Sequence, residues 1–235
     1  MNKITHAAAK KVFSGVVDYA LGQVNKNPDE AYEKIIDIAE KNMKDLQTDV
    51  DWDYIRKVAC NPEYTLNRYI TSMVKELHPN VLKTTLMNLG FEAFYNGTKT
   101  IREMRKIHNC NIPWIILMDP TSACNLHCTG CWAAEYGNRL NLSFEDMDRV
   151  VTQGKELGIY FYMFTGGEPL VRKADILKLM EKHRDVEFHT FTNSTLIDEE
   201  FCKECQRLGN LSFSISLEGF DEVNDCLLYT SDAAD

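Results

Sequence analysis

Two rhythms of apolar and polar positions divide the chain. In the first, which runs to about residue 110, apolar side chains recur every three or four residues. Ile35, Ile36, Ala39, Met43 and Leu46 make one such stripe, the signature of an amphipathic helix. Asn27, Pro28 and Glu30 stand ahead of it as cap, first helical residue and first-turn acid. Asn61-Pro62 predicts another helix start, and His78-Pro79 predicts a break before a further helical stretch reaching about residue 107. No Cys, His or paired acids in this half have ligand spacing, so residues 1–110 read as an all-helical packing or partner-binding domain.

From Trp114 the rhythm changes. Trp114-Ile115-Ile116-Leu117-Met118 is a continuous apolar run of the kind that buried parallel strands show. Further runs follow at 159–164, 187–192 and 211–217. Between them Ser143 caps a helix with Glu145 and Asp146 in its first turn and Gly158 at its end. A second helix is predicted over 173–184, and a third runs from the cap Asp198 to Gly209. Alternating strands and helices predict an α/β fold of βαβ units, with a parallel sheet and right-handed crossovers. In such folds the site lies at the C-terminal ends of the strands.

Composition narrows the class without naming a function. With 44% hydrophobic and 26% charged residues in 235, the chain is ordinary for a globular protein. Its 11 Phe, 10 Tyr and 3 Trp argue against disorder. No apolar run approaches the roughly 20 residues of a membrane helix. The net charge of −9 is uneven: residues 1–112 hold 16 Lys and Arg against 14 Asp and Glu, whereas 113–235 hold 10 against 21. An acidic second half repels a phosphate backbone, which argues against nucleic acid as a partner. Residues 1–6 carry a charge but no apolar segment behind it, so no secretory signal is read and a cytoplasmic location is expected. In a reducing compartment the 8 Cys are ligands, catalysts or buried thiols rather than disulfides.

Each predicted strand is followed by unusual residues. After the first come Cys124, Cys128 and Cys131, three thiols on one loop that can converge on a soft metal centre. A tetrahedral zinc site usually adds a fourth donor from a second pair, whereas three thiolates around a cubane leave one iron open. His127 could be that fourth donor, but it sits inside the loop and reads by default as a solvent-facing side chain. After the second strand, Thr165-Gly166-Gly167-Glu168-Pro169 offers glycines that permit positive φ and close backbone approach. It also offers a carboxylate able to hold an ammonium group. After the third, Thr192-Asn193-Ser194-Thr195 offers amide and hydroxyl groups. After the fourth, Ser216-Leu217-Glu218-Gly219 offers a hydroxyl and a second carboxylate.

Taken together these residues resemble the radical S-adenosylmethionine (radical SAM) superfamily over about 113–225. The likeness rests on Cys124, Cys128 and Cys131, then Gly166-Gly167-Glu168-Pro169, then Thr192-Asn193 and Ser216-Leu217-Glu218-Gly219. One departure is Gly130, where the family usually has an aromatic; Trp132 follows instead. The resemblance implies a partial (β/α) barrel over 111–225, with about four βα units, behind the helical domain. It implies a [4Fe-4S] cluster on Cys124, Cys128 and Cys131, with S-adenosylmethionine chelating the open iron. Gly166, Gly167, Glu168 and Pro169 would bind its methionine end, and Asn193, Ser216 and Glu218 would lie near the ribose or the substrate. The implied chemistry is reductive cleavage to a 5′-deoxyadenosyl radical that abstracts hydrogen from an unnamed substrate. The electron donor would be of the flavodoxin or ferredoxin type.

The remaining thiols carry less. Cys202 and Cys205 form a C-x-x-C on one predicted helix, with no partner pair; Cys60, Cys110 and Cys226 are isolated. The other class of function kept open is a metal or iron–sulfur binding module without chemistry. A radical SAM partial barrel normally has six βα units, so the chain is expected to be an N-terminal piece of a longer protein. Residues 226–235 have no barrel rhythm and are expected to be a non-native tail.

Overall fold

The computed structural model of the chain describes residues 3–24, 28–43, 50–131, 133, 137, 139–217 and 219. Asn27, Leu46, Trp132, Glu218, Cys226 and the 226–235 tail lie outside the described residues.

Helices α1 (Lys3–Val24), α2 (Pro28–Met43), α3 (Trp52–Ala59) and α4 (Thr65–Glu76) come first. They contribute to two small cores, one around Val17, Met87 and Phe91 and one around Val24, Ala31 and Tyr32. Asn61-Pro62 forms a turn rather than a helix start. Asn61 Oδ1 accepts the Glu63 N–H at 2.9 Å, and its carbonyl accepts the Tyr64 N–H at 3.1 Å. An Asn side chain competes for local backbone donors in this way, and α4 therefore begins at Thr65. The break at His78-Pro79 is observed: Pro79 opens α5 (Pro79–Thr85) and His78 Nδ1 accepts the Asn80 N–H at 3.2 Å.

α5 runs on into a π-helix (Leu86–Gly97) and then α6 (Thr98–His108). Hydrogen bonds there close five residues back, as from the Thr98 N–H to the Ala93 carbonyl. A 3.6-residue grid laid on the sequence does not find such a turn. The π-helix closes the N-terminal ends of the strands. Asn88 Nδ2 donates to the Arg184 and Val186 carbonyls at 3.2 and 3.0 Å, and Thr85 Oγ1 donates to Glu187 at 2.9 Å. Gly97 is pressed onto Gly158, so that a Cβ on Gly97 would stand 2.4 Å from the Gly158 carbonyl oxygen.

The sheet contains β1 (Ile116–Thr121), β2 (Phe161–Gly166), β3 (Glu187–Thr192) and β4 (Leu211–Ile215), all parallel and in the order β1-β2-β3-β4. The crossovers are α7 (Phe144–Glu156), a 3₁₀ turn (Pro169–Arg172) with α8 (Lys173–Lys182), and α9 (Glu199–Leu208). Sequential order without reversal means that every crossover steps the same way, so the helices share one face. That is the winding of a partial barrel rather than of a doubly wound sheet. Tyr162, Phe164 and Phe188 meet Met147, Val151, Ile176, Leu179, Met180, Phe201 and Leu208 on that face, each at most 2% exposed. Each such burial contributes roughly 1.5–3 kcal/mol. The other face carries Leu117, Met163, His189 and Ser212 in register.

β1 starts two residues later than the apolar run because Trp114 turns aside to pack on Phe94 and Phe161, with ring centroids 4.9 and 5.5 Å apart. Caps at Ser143 and Asp198 are as read: their side chains accept the N–H groups of Asp146 and Phe201 at 3.1 and 2.8 Å. The C-x-x-C of α9 is divided, since Cys205 is buried while Cys202 is exposed. Burial pushes the Cys205 thiol up to about 12, which leaves it unreactive. Among the described residues no helix is long and apolar enough to cross a membrane.

Candidate functional site

β1 and β2 end side by side, and their backbones are drawn together. The Gly167 N–H donates to the Thr121 carbonyl at 3.0 Å, and the Glu168 N–H to the Ala123 carbonyl at 2.8 Å. Gly166 holds φ +109, which a side chain would strain, and a Cβ on Gly167 would stand 2.2 Å from the Ala123 oxygen. The close approach these glycines permit in the folded chain is that of the cysteine loop's own root. Buried Thr121 fixes that root further, donating to Asn141 Oδ1 at 2.6 Å and accepting the Ala123 N–H at 3.0 Å.

From this root the loop carries Cys124, Cys128 and Cys131 along the wall of a cavity of about 440 Å³. The same cavity is lined by Gly166, Gly167 and Glu168 from the second strand end, Asn193 from the third and Ser216 from the fourth. The fold thus brings these sequence-predicted residues together. Pro169, itself buried, opens the 3₁₀ turn that follows and is not among the lining residues; neither is His127, which is exposed. Glu218 lies outside the described residues.

The three thiols are half-buried and unpaired by disulfides. Cys124 Sγ accepts the Leu126 N–H at 3.4 Å, and the Cys131 N–H reaches back to the Cys128 carbonyl at 3.2 Å. Burial holds the Cys124 thiol above its ordinary range, with the Glu168 carboxylate and Cys131 adding to the rise. Among the described residues no three Cys, His, Asp or Glu side chains converge closely enough to hold one metal ion.

Glu168 is 1% exposed, and a buried carboxylate needs donors. Its Oε1 accepts from the Leu170 N–H at 3.0 Å and from Thr192 Oγ1 at 2.7 Å; Oε2 accepts the Asn193 N–H at 2.9 Å. A carboxylate has about four acceptor positions, so the protein fills most of them. The carboxylate therefore ties β2 to β3 as well as facing the cavity. Sequence reasoning passed over three contributors. Thr129 and Phe191 line the cavity, the latter hidden in an ordinary strand pattern. Asn125 reaches Asn193 and Thr195, and its only signal was its place between two cysteines.

Residues 118–229 match the family described as the Radical SAM superfamily. That part of the chain belongs to the radical SAM superfamily. Membership implies, in general terms, S-adenosylmethionine and an iron–sulfur centre. The chain is 30% identical over 115 residues to the PqqA peptide cyclase of Bradyrhizobium diazoefficiens, covering 47% of this chain and 30% of that protein. It is 34% identical over 109 residues to the GTP 3′,8-cyclase of Thermodesulfovibrio yellowstonii, covering 42% and 33%. Among solved structures, Streptococcus suis SuiB bound to the precursor peptide SuiA is similar at 24% identity and a TM-score of 0.47, over 58% of this chain and 32% of that one. The chain thus spans about a third of the length of these curated relatives.

Proposed function

We propose that the chain carries the cofactor site of a radical SAM enzyme, with Cys124, Cys128 and Cys131 holding a [4Fe-4S] cluster. The observation that supports this most is that three thiols from one loop and groups from three further strand ends share one cavity of about 440 Å³. Three thiolates leave one of four irons without a protein ligand, and the same cavity is lined by Gly166, Gly167 and Glu168. Held by these three thiolates, a reduced cluster would supply one electron to the sulfonium of S-adenosylmethionine, the chemistry that yields methionine and a 5′-deoxyadenosyl radical able to abstract hydrogen.

The chain's own residues supply position and surroundings. Cys124 must give up a proton to bind iron, and burial makes that proton harder to remove. Glu168, held by Thr192 and the Asn193 backbone, keeps an acceptor position aimed at the cavity for an ammonium donor, fixed before the ligand arrives. Pro169 stiffens the turn that follows. Asn193, Ser216 and Glu218 are assigned to the ribose or the substrate. Phe191 lends the cavity an apolar side chain.

In this reading 1–110 is a helical domain and 111–225 the radical SAM core. The enzyme works in the cytoplasm, without membrane or nucleic acid, with a flavodoxin or ferredoxin as donor. The substrate is left unnamed, because one relative's name refers to a peptide and another's to a nucleotide. A second reading, a metal or iron–sulfur module without chemistry, draws on Glu168 being largely satisfied from within the protein.

One experiment separates them. The chain is loaded anaerobically with iron and sulfide, reduced with dithionite and given S-adenosylmethionine. The enzyme reading expects 5′-deoxyadenosine and methionine. A fully loaded protein that never forms 5′-deoxyadenosine leaves the binding module, and a colourless zinc protein removes both iron–sulfur readings.

A further inference from the structure

Asn125, Asn193 and Thr195 close a ring of side-chain hydrogen bonds across the rim of the cavity. Asn125 Nδ2 donates to Thr195 Oγ1 at 2.7 Å, and Thr195 Oγ1 donates to Asn193 Oδ1 at 2.7 Å. Asn193 Nδ2 then donates to Asn125 Oδ1 at 3.1 Å. Each donor meets one acceptor around the ring, the arrangement in which hydrogen bonds polarise one another. The Thr195 N–H adds a bond to Asn193 Oδ1 at 3.0 Å. Ser194, between the two β3-loop members, holds φ 65, a left-handed conformation that is costly for a residue with a Cβ. Its N–H is held by Thr192 Oγ1 at 3.0 Å. That turn brings Asn193 and Thr195 round to the same partner.

The ring joins parts of the site that are far apart in sequence. Asn125 lies in the loop between Cys124 and Cys128. Asn193 lines the cavity, and its N–H is held by Glu168 Oε2. A chain of contacts therefore runs from the cysteine loop through Asn125 and Asn193 to the Glu168 carboxylate.

We propose that Asn125, Asn193 and Thr195 are positioning residues that couple the cysteine loop to the cofactor wall, so that S-adenosylmethionine bound at the wall slows loss of the cluster from the loop. The inference rests on the reading of the site as a radical SAM centre. A ligand that orders Asn193 and Glu168 lowers the cost of ordering Asn125 and the loop, and linkage makes the effect reciprocal. The bonds of the ring are exposed, so each is modest alone. The coupling expected is of the size common between linked sites, roughly five-fold or more.

The test uses the whole chain, loaded with iron and sulfide, and follows iron release to bathophenanthroline disulfonate with and without S-adenosylmethionine. Thr195 is exposed, so Thr195→Val removes the hydroxyl without emptying a core, and Thr195→Ser restores it. The native chain is expected to release iron roughly five-fold more slowly with S-adenosylmethionine present. Thr195→Val is expected to keep only the part of that protection that direct chelation of the iron supplies, clearly less than the native chain, and Thr195→Ser to keep it in full. Protection as large in Thr195→Val as in the native chain overturns the proposal, as does equal loss in both variants. Absence of protection in a native chain that forms 5′-deoxyadenosine overturns the coupling and leaves the functional reading standing. A native chain that never loads a cluster ends both. In the cluster-free chain, amide hydrogen exchange over 124–131 is expected to quicken in Thr195→Val; unchanged exchange shows that the ring does not hold the loop.

Discussion

At the N-terminal ends of the four strands the chain is closed over, with Gly97 packed on Gly158 and Asn88 and Thr85 bonded to the start of β3 and its approach, whereas at their C-terminal ends hydrogen-bonded loops surround a cavity. At the floor, Gly97 lies on Gly158 with no room for a methyl group, and the π-helix covers Glu187, which is 0% exposed. Glu187 Oε1 accepts from Thr85, and Oε2 has no partner among the described residues. At the rim, Glu168 is as deeply buried but accepts three hydrogen bonds. Two buried carboxylates thus differ in the donors they meet. The floor's is pushed up to about 8 by burial, while the rim's is supplied with donors. The floor is closed, and the rim leaves a cavity between hydrogen-bonded loops.

The comparison is sharpened most by Glu187. Its folded value lies above the ordinary carboxyl value of 4.5, at about 8. The native state therefore holds a proton that the unfolded chain releases. The stability this lends is complete below about pH 4.5 and falls as pH rises to about 8. Each tenfold difference in proton affinity between the two states is worth roughly 1.4 kcal/mol, so the fall amounts to several kcal/mol. Urea unfolding at pH 5 and pH 8.5 is expected to show it in the native chain and to show it flattened in Glu187→Gln. Equal pH dependence in the two proteins would place the titration elsewhere.

Next in size is Gly97→Ala, whose added carbon meets backbone on both sides. A loss of about 3 kcal/mol is expected from such overpacking, read from the urea midpoint. The folded fraction should still load iron, since the rim is untouched. Thr192→Val at the rim removes one donor from Glu168 and is expected to cost about 1–2 kcal/mol. It should also weaken S-adenosylmethionine binding, measured by equilibrium dialysis, because the carboxylate loses its fixed aim. Smallest in stability is Cys128→Ser, within about 0.5 kcal/mol for a half-buried position, yet iron content should fall severely. In the native chain, loading should improve as pH rises from 7 to 8.5, because Cys124 is held above the usual thiol range and must lose its proton to bind.

The rim was largely legible in the sequence because its signals are local. Three thiols within eight residues and Gly166-Gly167-Glu168 at a strand end can be read without knowing what packs against them. β3 was read at its observed bounds, Glu187–Thr192. The floor was hidden for the opposite reason. Glu187 looks like any polar residue at a strand's start until Thr85, 102 positions earlier, is laid on it. The π-helix departs from the period that the eye uses to find helices. Asn125 likewise meets partners 68 and 70 residues away, beyond any spacing rule. Asn61-Pro62 misled because a good cap also makes a good turn.

If the three thiols hold a cluster whose open iron takes S-adenosylmethionine, electron paramagnetic resonance of the loaded, dithionite-reduced chain will register it. Roughly four irons per chain are expected, with a reduced-cluster signal that changes shape when S-adenosylmethionine is added, and loss of both in Cys124→Ser. A signal indifferent to S-adenosylmethionine, or one that survives in Cys124→Ser, would contradict it.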